Sequence, residues 1–316
     1  MFFKEHKVVN MKKRIKYKQE WEIVNEELVV RGEFLLDVEW VKNWSNELRK
    51  MNEGKRGSPF RFPESLIKLQ AIWSQWVDYR GLEGITRKLC AYRLIPEYND
   101  FSTICRRIHK MNIAFELPKE GNISVSSDGT GMKAGNSGEY MERLYGAERK
   151  KFIKVTISAD PNKKKLLDCD VSLEGEGESE SRIAVSHIKR LINLGKKIDW
   201  FYGDSAFDLL DLFNLLNANH ANIAIKPRTL LTRNKEESLV RKREVKNYKK
   251  KGHKRWVREK NYGRRWTGTE GIFSAVKRKY GEKVRASKIE NMLEEVKRKF
   301  WAYEQVKEYA TNKILV

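Results

Sequence analysis

The stretch Ile198-Asp199-Trp200-Phe201-Tyr202-Gly203-Asp204, followed by Ser205-Ala206-Phe207-Asp208, decides the fold. It is an apolar, aromatic run that stops at an aspartate, and a helix is expected next, over 207–216. A short apolar run of this kind reads as a strand buried in a sheet. Working back, alternation marks strands at 123–127, 152–158 and 166–173. A glutamate-rich loop at 174–180 and an amphipathic helix over 183–194 join the last of these to the run. Working forward, a strand is expected at 222–226 and a helix that opens at Glu270. Strands first and alternation afterwards imply an α/β fold with a mixed sheet, an antiparallel region joined to parallel strands. Ile289, Leu293, Val296, Phe300, Tyr303 and Val306 step by three or four, which predicts a long C-terminal helix covering that sheet.

Three carboxylates stand at the ends of these elements. Asp128 closes Ile123-Ser124-Val125-Ser126-Ser127-Asp128, with Gly129-Thr130-Gly131 after it. Alternate side chains of a strand share a face, so Ile123 and Val125 point one way and Ser124, Ser126 and Asp128 the other. Asp204 closes the aromatic run. Glu270 opens Glu270-Gly271-Ile272-Phe273-Ser274-Ala275-Val276-Lys277, where Glu270, Phe273, Ser274 and Lys277 are expected on one face. Each also has a plainer reading: a turn residue for Asp128, a helix cap with Asp208 completing a capping box for Asp204, and a surface charge for Glu270. Together, three carboxylates can hold a pair of hard divalent cations, because Mg²⁺ prefers oxygen ligands. Two such metals can activate an attacking oxygen and stabilise a leaving one in phosphoryl transfer.

The charge of the chain names the phosphodiester. Its 316 residues carry 65 Lys+Arg against 43 Asp+Glu, a formal charge of +22, the footprint of a protein that binds a polyanion. No apolar run approaches the roughly 20 residues that span a bilayer, so no membrane partner is expected. Met1-Phe2-Phe3-Lys4-Glu5-His6 is charged too early for a secretory signal. Cys90, Cys105 and Cys169 are scattered, with no Cys-x-x-Cys pair, which argues against a zinc site or disulfide framework and for a cytoplasmic setting. His187, mid-helix, reads as structural.

The N-terminal part is helical. Leu36, Trp40, Trp44 and Leu48 predict one helix, and Pro63 starts another over 64–79. Leu82, Ile85 and Leu89 predict a third; Arg93–Asp100 breaks it, and a basic helix over 101–110 restarts with Asp100 or Ser102 as N-cap. Helix, short turn and basic helix is the helix-turn-helix order, which would put Arg106 and Arg107 in a major groove. An ordinary helical hairpin with solvated arginines fits the same pattern. Pro118 and Gly121 mark the boundary, giving a helical DNA-binding domain over 1–120 and a catalytic domain over 121–316. Residues 229–261, with Arg241-Lys242-Arg243 and Lys249-Lys250-Lys251, lack apolar periodicity. They read as a surface loop that orders on nucleic acid, or as a solvated charge run.

Taken in order, Ser126-Ser127-Asp128-Gly129-Thr130, Tyr202-Gly203-Asp204-Ser205-Ala206-Phe207-Asp208 and Tyr262…Arg265…Glu270…Lys277 resemble the DDE transposases of insertion sequences, in the subgroup with a Tyr-Arg-Glu-Lys signature. The resemblance covers about residues 60–300. One departure is that the gap between Arg265 and Glu270 is a residue longer than the usual pattern. The resemblance implies a ribonuclease H-like mixed sheet flanked by helices and preceded by an all-α domain. It implies metal ligation by Asp128, Asp204 and Glu270, two Mg²⁺ per site with Mn²⁺ as a substitute, and cutting of element ends followed by joining to target DNA. Tyr262, Arg265 and Lys277 would hold the element end through its phosphates, with Arg264 beside them. Lys249, Lys250 and Lys251 would add affinity for double-stranded DNA, terminal repeat and target alike. A homodimer on DNA is expected. The rivals are a DNA-binding protein that has lost catalysis and a nuclease of the same fold that hydrolyses without joining strands.

Overall fold

The computed structural model describes residues 21–119, 121–134, 152–228 and 238–314. The basic run over 12–18 and the first part of the basic tract, 229–237, lie outside the described residues. The chain divides into two compact units, one of residues 1–111 with 302–316 and one of residues 112–301. Among the described residues no helix is long and apolar enough to cross a membrane.

The first unit is helical. A helix over 21–33 (α1) is followed by α2 (Trp44–Asn52), α3 (Glu64–Trp73), α4 (Tyr79–Ala91) and α5 (Phe101–His109). The helix expected through Leu36, Trp40, Trp44 and Leu48 is not continuous. Two 3-10 turns, Phe34–Leu36 and Glu39–Asn43, precede α2, and Leu36 is exposed. The four-residue spacing instead records a local stack, with Trp40 and Trp44 ring centroids 5.9 Å apart. The helix expected over 64–79 ends at Trp73, because Asp78 caps a new one by accepting from Gly81 N at 2.7 Å. Asp100 caps α5, with Oδ1 accepting from Ser102 N at 2.9 Å and Thr103 N at 3.0 Å. These bonds satisfy N–H groups that the first helical turn leaves open. Hydrogen bonds from the Ser102 and Thr103 hydroxyls hold the Asp100 carboxyl well below the usual carboxylate range.

The second unit is a mixed sheet with helices on both faces, a ribonuclease H-like α/β fold. Its strands are β1 (Ile123–Ala134), β2 (Phe152–Asp160), β3 (Lys165–Leu173), β4 (Ile198–Gly203), β5 (Asn222–Ile225) and β6 (Lys283–Val284). The order is β3-β2-β1-β4-β5, with β6 pairing the end of β1. β1–β2 and β2–β3 are antiparallel; β1–β4 and β4–β5 are parallel. The helices are α6 (Glu180–Asn193), α7 (Leu210–Ala218), α8 (Leu239–Glu259), α9 (Arg264–Gly268), α10 (Glu270–Tyr280) and α11 (Ile289–Ile314). From Ala302 onward α11 belongs to the first unit.

Alternation along the strands sorts the two faces. Ile123 and Val125 of β1, Phe201 of β4 and Ile223 of β5 pack with Ala184, Ile188 and Leu191 of α6 and Leu212 and Phe213 of α7. Tyr202 and Ala224 point the other way and meet Trp256 of α8 and Tyr262.

The basic tract is helical where it is described, not a loop. Lys, Arg and Glu are good helix formers, so an irregular apolar pattern does not exclude a helix. α8 starts against the first cluster through Val240 and ends in the second through Trp256 and Val257. Gly252, at φ 69° and ψ 162°, makes the kink between these two stretches, in a region that disfavours a side chain. Arg241 is buried and makes a two-pronged bond to Asp208, Nε–Oδ1 2.6 Å and Nη2–Oδ2 2.8 Å. Asp208 therefore does not complete a capping box. Residues 205–207 form a 3-10 turn, and α7 begins only at Leu210.

Candidate active site

Asp128 lies within β1, and Asp204 directly follows the neighbouring parallel strand β4. In the β1–β4 ladder Ser126 lies opposite Tyr202, and two further residues on each strand lead to the two aspartates. Adjacent strands run about 4.8 Å apart, so the pair is placed by the ladder. In each carboxylate a backbone N–H holds one oxygen: Asp128 Oδ1 accepts from Gly129 N at 2.9 Å, and Asp204 Oδ1 from Ala206 N at 2.7 Å. Burial pushes the Asp128 carboxyl up. The Gly129 N–H and Arg265 oppose this, while the Asp204 and Glu180 charges add to it. Glu180 lies across the strand from Asp128. Its carboxyl carbon would be 2.5 Å from a Cβ at position 129, so a side chain there would push the Glu180 carboxylate aside. Glu180 also pairs with Lys154 at 3.5 Å.

The α9–α10 segment covers the other face. Ser126 Oγ donates to Arg265 O at 2.9 Å, which pins this segment to β1. Tyr262 is buried; its hydroxyl donates to Gly203 O at 3.1 Å, and burial pushes its phenol up to about 12. Arg264 is exposed and donates to Asn162 Oδ1 at 2.8 Å, and Asn162 in turn donates to Ser124 Oγ at 3.1 Å. Arg265 turns inward, with Nη1 3.6 Å from Asp204 Oδ2.

Glu270 is exposed at the start of α10, while its neighbour Thr269 is buried and donates from Oγ1 to Asp128 Oδ2 at 3.4 Å. Successive helix residues are turned by about 100°. Thr269, one residue before Glu270, is thus the residue turned against Asp128. Among the described residues no three His, Cys, Asp or Glu side chains form a group able to hold a metal ion. The structure therefore brings two of the three carboxylates together and leaves the third outside. The two aspartates offer only hard oxygen donors, a set that suits a divalent cation.

Along α10, Phe273 is buried and packs edge-on against Phe300 at 6.0 Å, so it is not on the outer face expected for it. Lys277 is half-buried. The far end of the helix is held by Lys299, which donates to Tyr280 O at 3.1 Å, Gly281 O at 3.0 Å and Lys283 O at 2.6 Å. Burial pushes the Lys299 ammonium down, and three carbonyls compensate it.

The remaining predicted residues are dispersed. Lys249 and Lys250 are exposed on α8, whereas Lys251 is paired with Glu259. In the first unit Arg106 is exposed. Arg107 donates to Phe62 O at 3.2 Å, pairs with Glu64 at 3.3 Å and lies 4.6 Å from the Phe60 ring centroid. Both arginines line a groove of about 1000 Å³, with Arg61, Tyr98 and Lys110. His187 is fully buried between Ser158 and Asp170, a structural place. Sequence reasoning missed Glu180, Thr269, Lys299 and the Asp208–Arg241 pair. Of these, only Glu180 carried a signal, as an acidic first-turn residue after the N-cap Ser179.

A family model described as transposase DDE domain matches residues 124–304, more than half of the chain. The chain belongs to this family of DDE transposases. A second model with the same description matches residues 29–137. Membership brings with it DNA transposition, DNA binding and a metal-dependent nuclease or transposase activity. Asp204 stands just past the carboxyl end of β4, where ligands of sheets with parallel strands bind. Asp128 does not close its strand as expected: it lies within β1, which runs on to Ala134 because residues 128–133 still pair with β2.

Proposed function

We propose that this chain is the transposase of an insertion sequence, which cuts the ends of its element and joins them to target DNA. The observation that carries the reading is the placement of Asp128 in β1 and of Asp204 just past the adjacent parallel strand β4 of a DDE domain. In this reading Asp128, Asp204 and Glu270 would hold two Mg²⁺, or Mn²⁺ in its place, and Glu270 would have to turn in from the exposed start of α10. Bound there, the cations supply charge neutralisation and an activated oxygen for phosphoryl transfer.

The protein's own groups do the rest. Thr269 and Gly129 N–H orient the Asp128 carboxylate, and Ala206 N–H orients that of Asp204. Tyr262 fixes the Gly203 carbonyl at the strand end. Tyr262, Arg265, Glu270 and Lys277 make up the Tyr-Arg-Glu-Lys signature, and Arg265 and Lys277 take phosphates of the element end, flanked by Arg264. Residues 1–120 form a helical domain that meets the terminal repeats through Arg106, and Lys249 and Lys250 of α8 add affinity for the duplex. Two copies on DNA bring two ends together, in the cytoplasm.

A strand-transfer assay tests this. A labelled duplex carrying a terminal repeat should be nicked and joined to a target plasmid with Mg²⁺ or Mn²⁺. Cleavage without joining would make the protein a nuclease, and binding alone would make it a catalytically lost relative.

A further inference from the structure

Arg265 is held more tightly than a phosphate-binding arginine needs to be. Its carbonyl accepts from Ser126 Oγ at 2.9 Å and Thr269 Oγ1 at 3.2 Å. Its guanidinium carbon lies 5.5 Å from the Tyr262 ring centroid and 5.3 Å from that of Trp266. Nη1 stands 3.6 Å from Asp204 Oδ2, and the side chain is only 14% exposed. Its Nε is buried with no hydrogen-bond partner among the described residues. A guanidinium with a donor left open is not at rest in a structural pair, because buried donors are normally satisfied. Two ring faces hold the group in front of the aspartates, where cation–π attraction adds to that between the charges.

We propose that Arg265 is a displaceable counter-ion, which neutralises the Asp128–Asp204 pair in the free protein and must give up that place when a divalent cation binds. The proposal rests on the reading of these aspartates as cation ligands. Arginine and cation are then competitors for one anionic site. Displaced, the guanidinium is free to meet a phosphate oxygen, which it matches with paired N–H donors. DNA and cation therefore help each other: a duplex that takes Arg265 leaves the aspartates open, and by linkage the cation strengthens the hold on the duplex.

The test is calorimetric titration of Mn²⁺ into the full-length protein, without DNA and then with a short duplex. Arg265→Ala should bind Mn²⁺ about tenfold more tightly than wild type in the absence of DNA, within the usual range of coupling between sites. Arg265→Lys, which keeps the charge, should stay near wild type. The duplex should tighten Mn²⁺ binding by wild type but not by Arg265→Ala. If Arg265→Ala does not fold, Arg265→Gln replaces it. Asp204→Asn is the control and should lose Mn²⁺ binding. Loss in Asp204→Asn with unchanged or weaker affinity in Arg265→Ala would overturn the counter-ion role alone. Absence of Mn²⁺ binding in every form, wild type included, would overturn the aspartate site and the counter-ion together.

Discussion

The two faces of the sheet differ in how they treat polar groups. On the face covered by α6 and α7 a chain of polar atoms is connected, although Thr156 Oγ1 and Ser172 Oγ on that face have no hydrogen-bond partner among the described residues. Ser127 Oγ meets Ser158 Oγ at 2.7 Å, Ser158 Oγ meets His187 Nδ1 at 2.7 Å, His187 Nε2 meets Asp170 at 2.9 Å, and Arg190 Nη2 closes on Asp170 at 2.7 Å. On the face covered by α8, α9 and α10, Arg265 Nε and Trp256 Nε1 are buried without hydrogen-bond partners among the described residues, and Glu270 is exposed. A connected network fixes one arrangement, whereas a buried guanidinium with an open donor beside two carboxylates is a place that a ligand can complete. One face holds the sheet, and the other is set up to act.

The sharpest way to break this comparison is at the rim where the strands end. Asp204→Asn should abolish strand cleavage, a loss on the order of a thousandfold or more, since metal-assisted charge stabilisation supplies several kcal/mol. DNA binding should persist, because removing an anion next to phosphate does not weaken it. Retained cleavage would take Asp204 out of the chemistry.

Next comes the choice between Glu270 and Thr269. If Glu270 is the third carboxylate, Glu270→Gln should match Asp204→Asn in a cleavage assay, while Thr269→Val, which removes a 3.4 Å hydrogen bond to Asp128, should cost about tenfold or less. The reverse ranking would make Thr269 the inward residue of the site and Glu270 a surface charge.

How much of this could be read in the sequence follows from the same contrast. The strands were legible because period-two alternation survives in β1 and β4: Val125 and Phe201 enter one core and Tyr202 the other face. The end of β1 was not, since Gly129, Thr130 and Gly131 read as a turn but continue the pairing with β2 as far as Lys133. Topology followed from strand order. α8 was not legible, since its buried residues, Arg241, Val245 and Trp256, are spread across a glycine kink and one of them is charged. Leu36 misled because a ladder of four-residue steps says nothing about whether the chain stays helical between them. The inward turn of Thr269 depends on the break between α9 and α10, and the Asp208–Arg241 pair joins residues far apart in sequence; neither leaves a local pattern.

The outer side of the acting face offers a smaller test. Replacing both Lys249 and Lys250 with Ala should lower the salt dependence of duplex binding by about two units, one for each phosphate that no longer meets an ammonium. Lys251→Ala should change it less, because Lys251 is already paired with Glu259. Equal effects from all three would mean that the pair opens on DNA, and no effect from any would return α8 to a solvated charge run.

The holding face should respond to acid. Its hydrogen bond to His187 holds the Asp170 carboxyl well below the usual carboxylate range; burial opposes this, and Arg190 supports it. A carboxyl depressed in the folded state adds stability above its unfolded value, and that stability is lost as pH falls through the folded one. The unfolded value is about 3.9, so the loss should come below about pH 4. The side chain is 37% exposed, so solvent screens the pair and the contribution should stay under about 1 kcal/mol. Asp170→Asn keeps the shape and removes the charge. Thermal melts of the full-length protein at about pH 6 should therefore show the wild type slightly more stable than the variant, with the gap closing towards about pH 2. A gap of the same size at both ends would mean that Asp170 acts by shape alone, and the network around His187 would then owe its order to packing of α6 and not to charge.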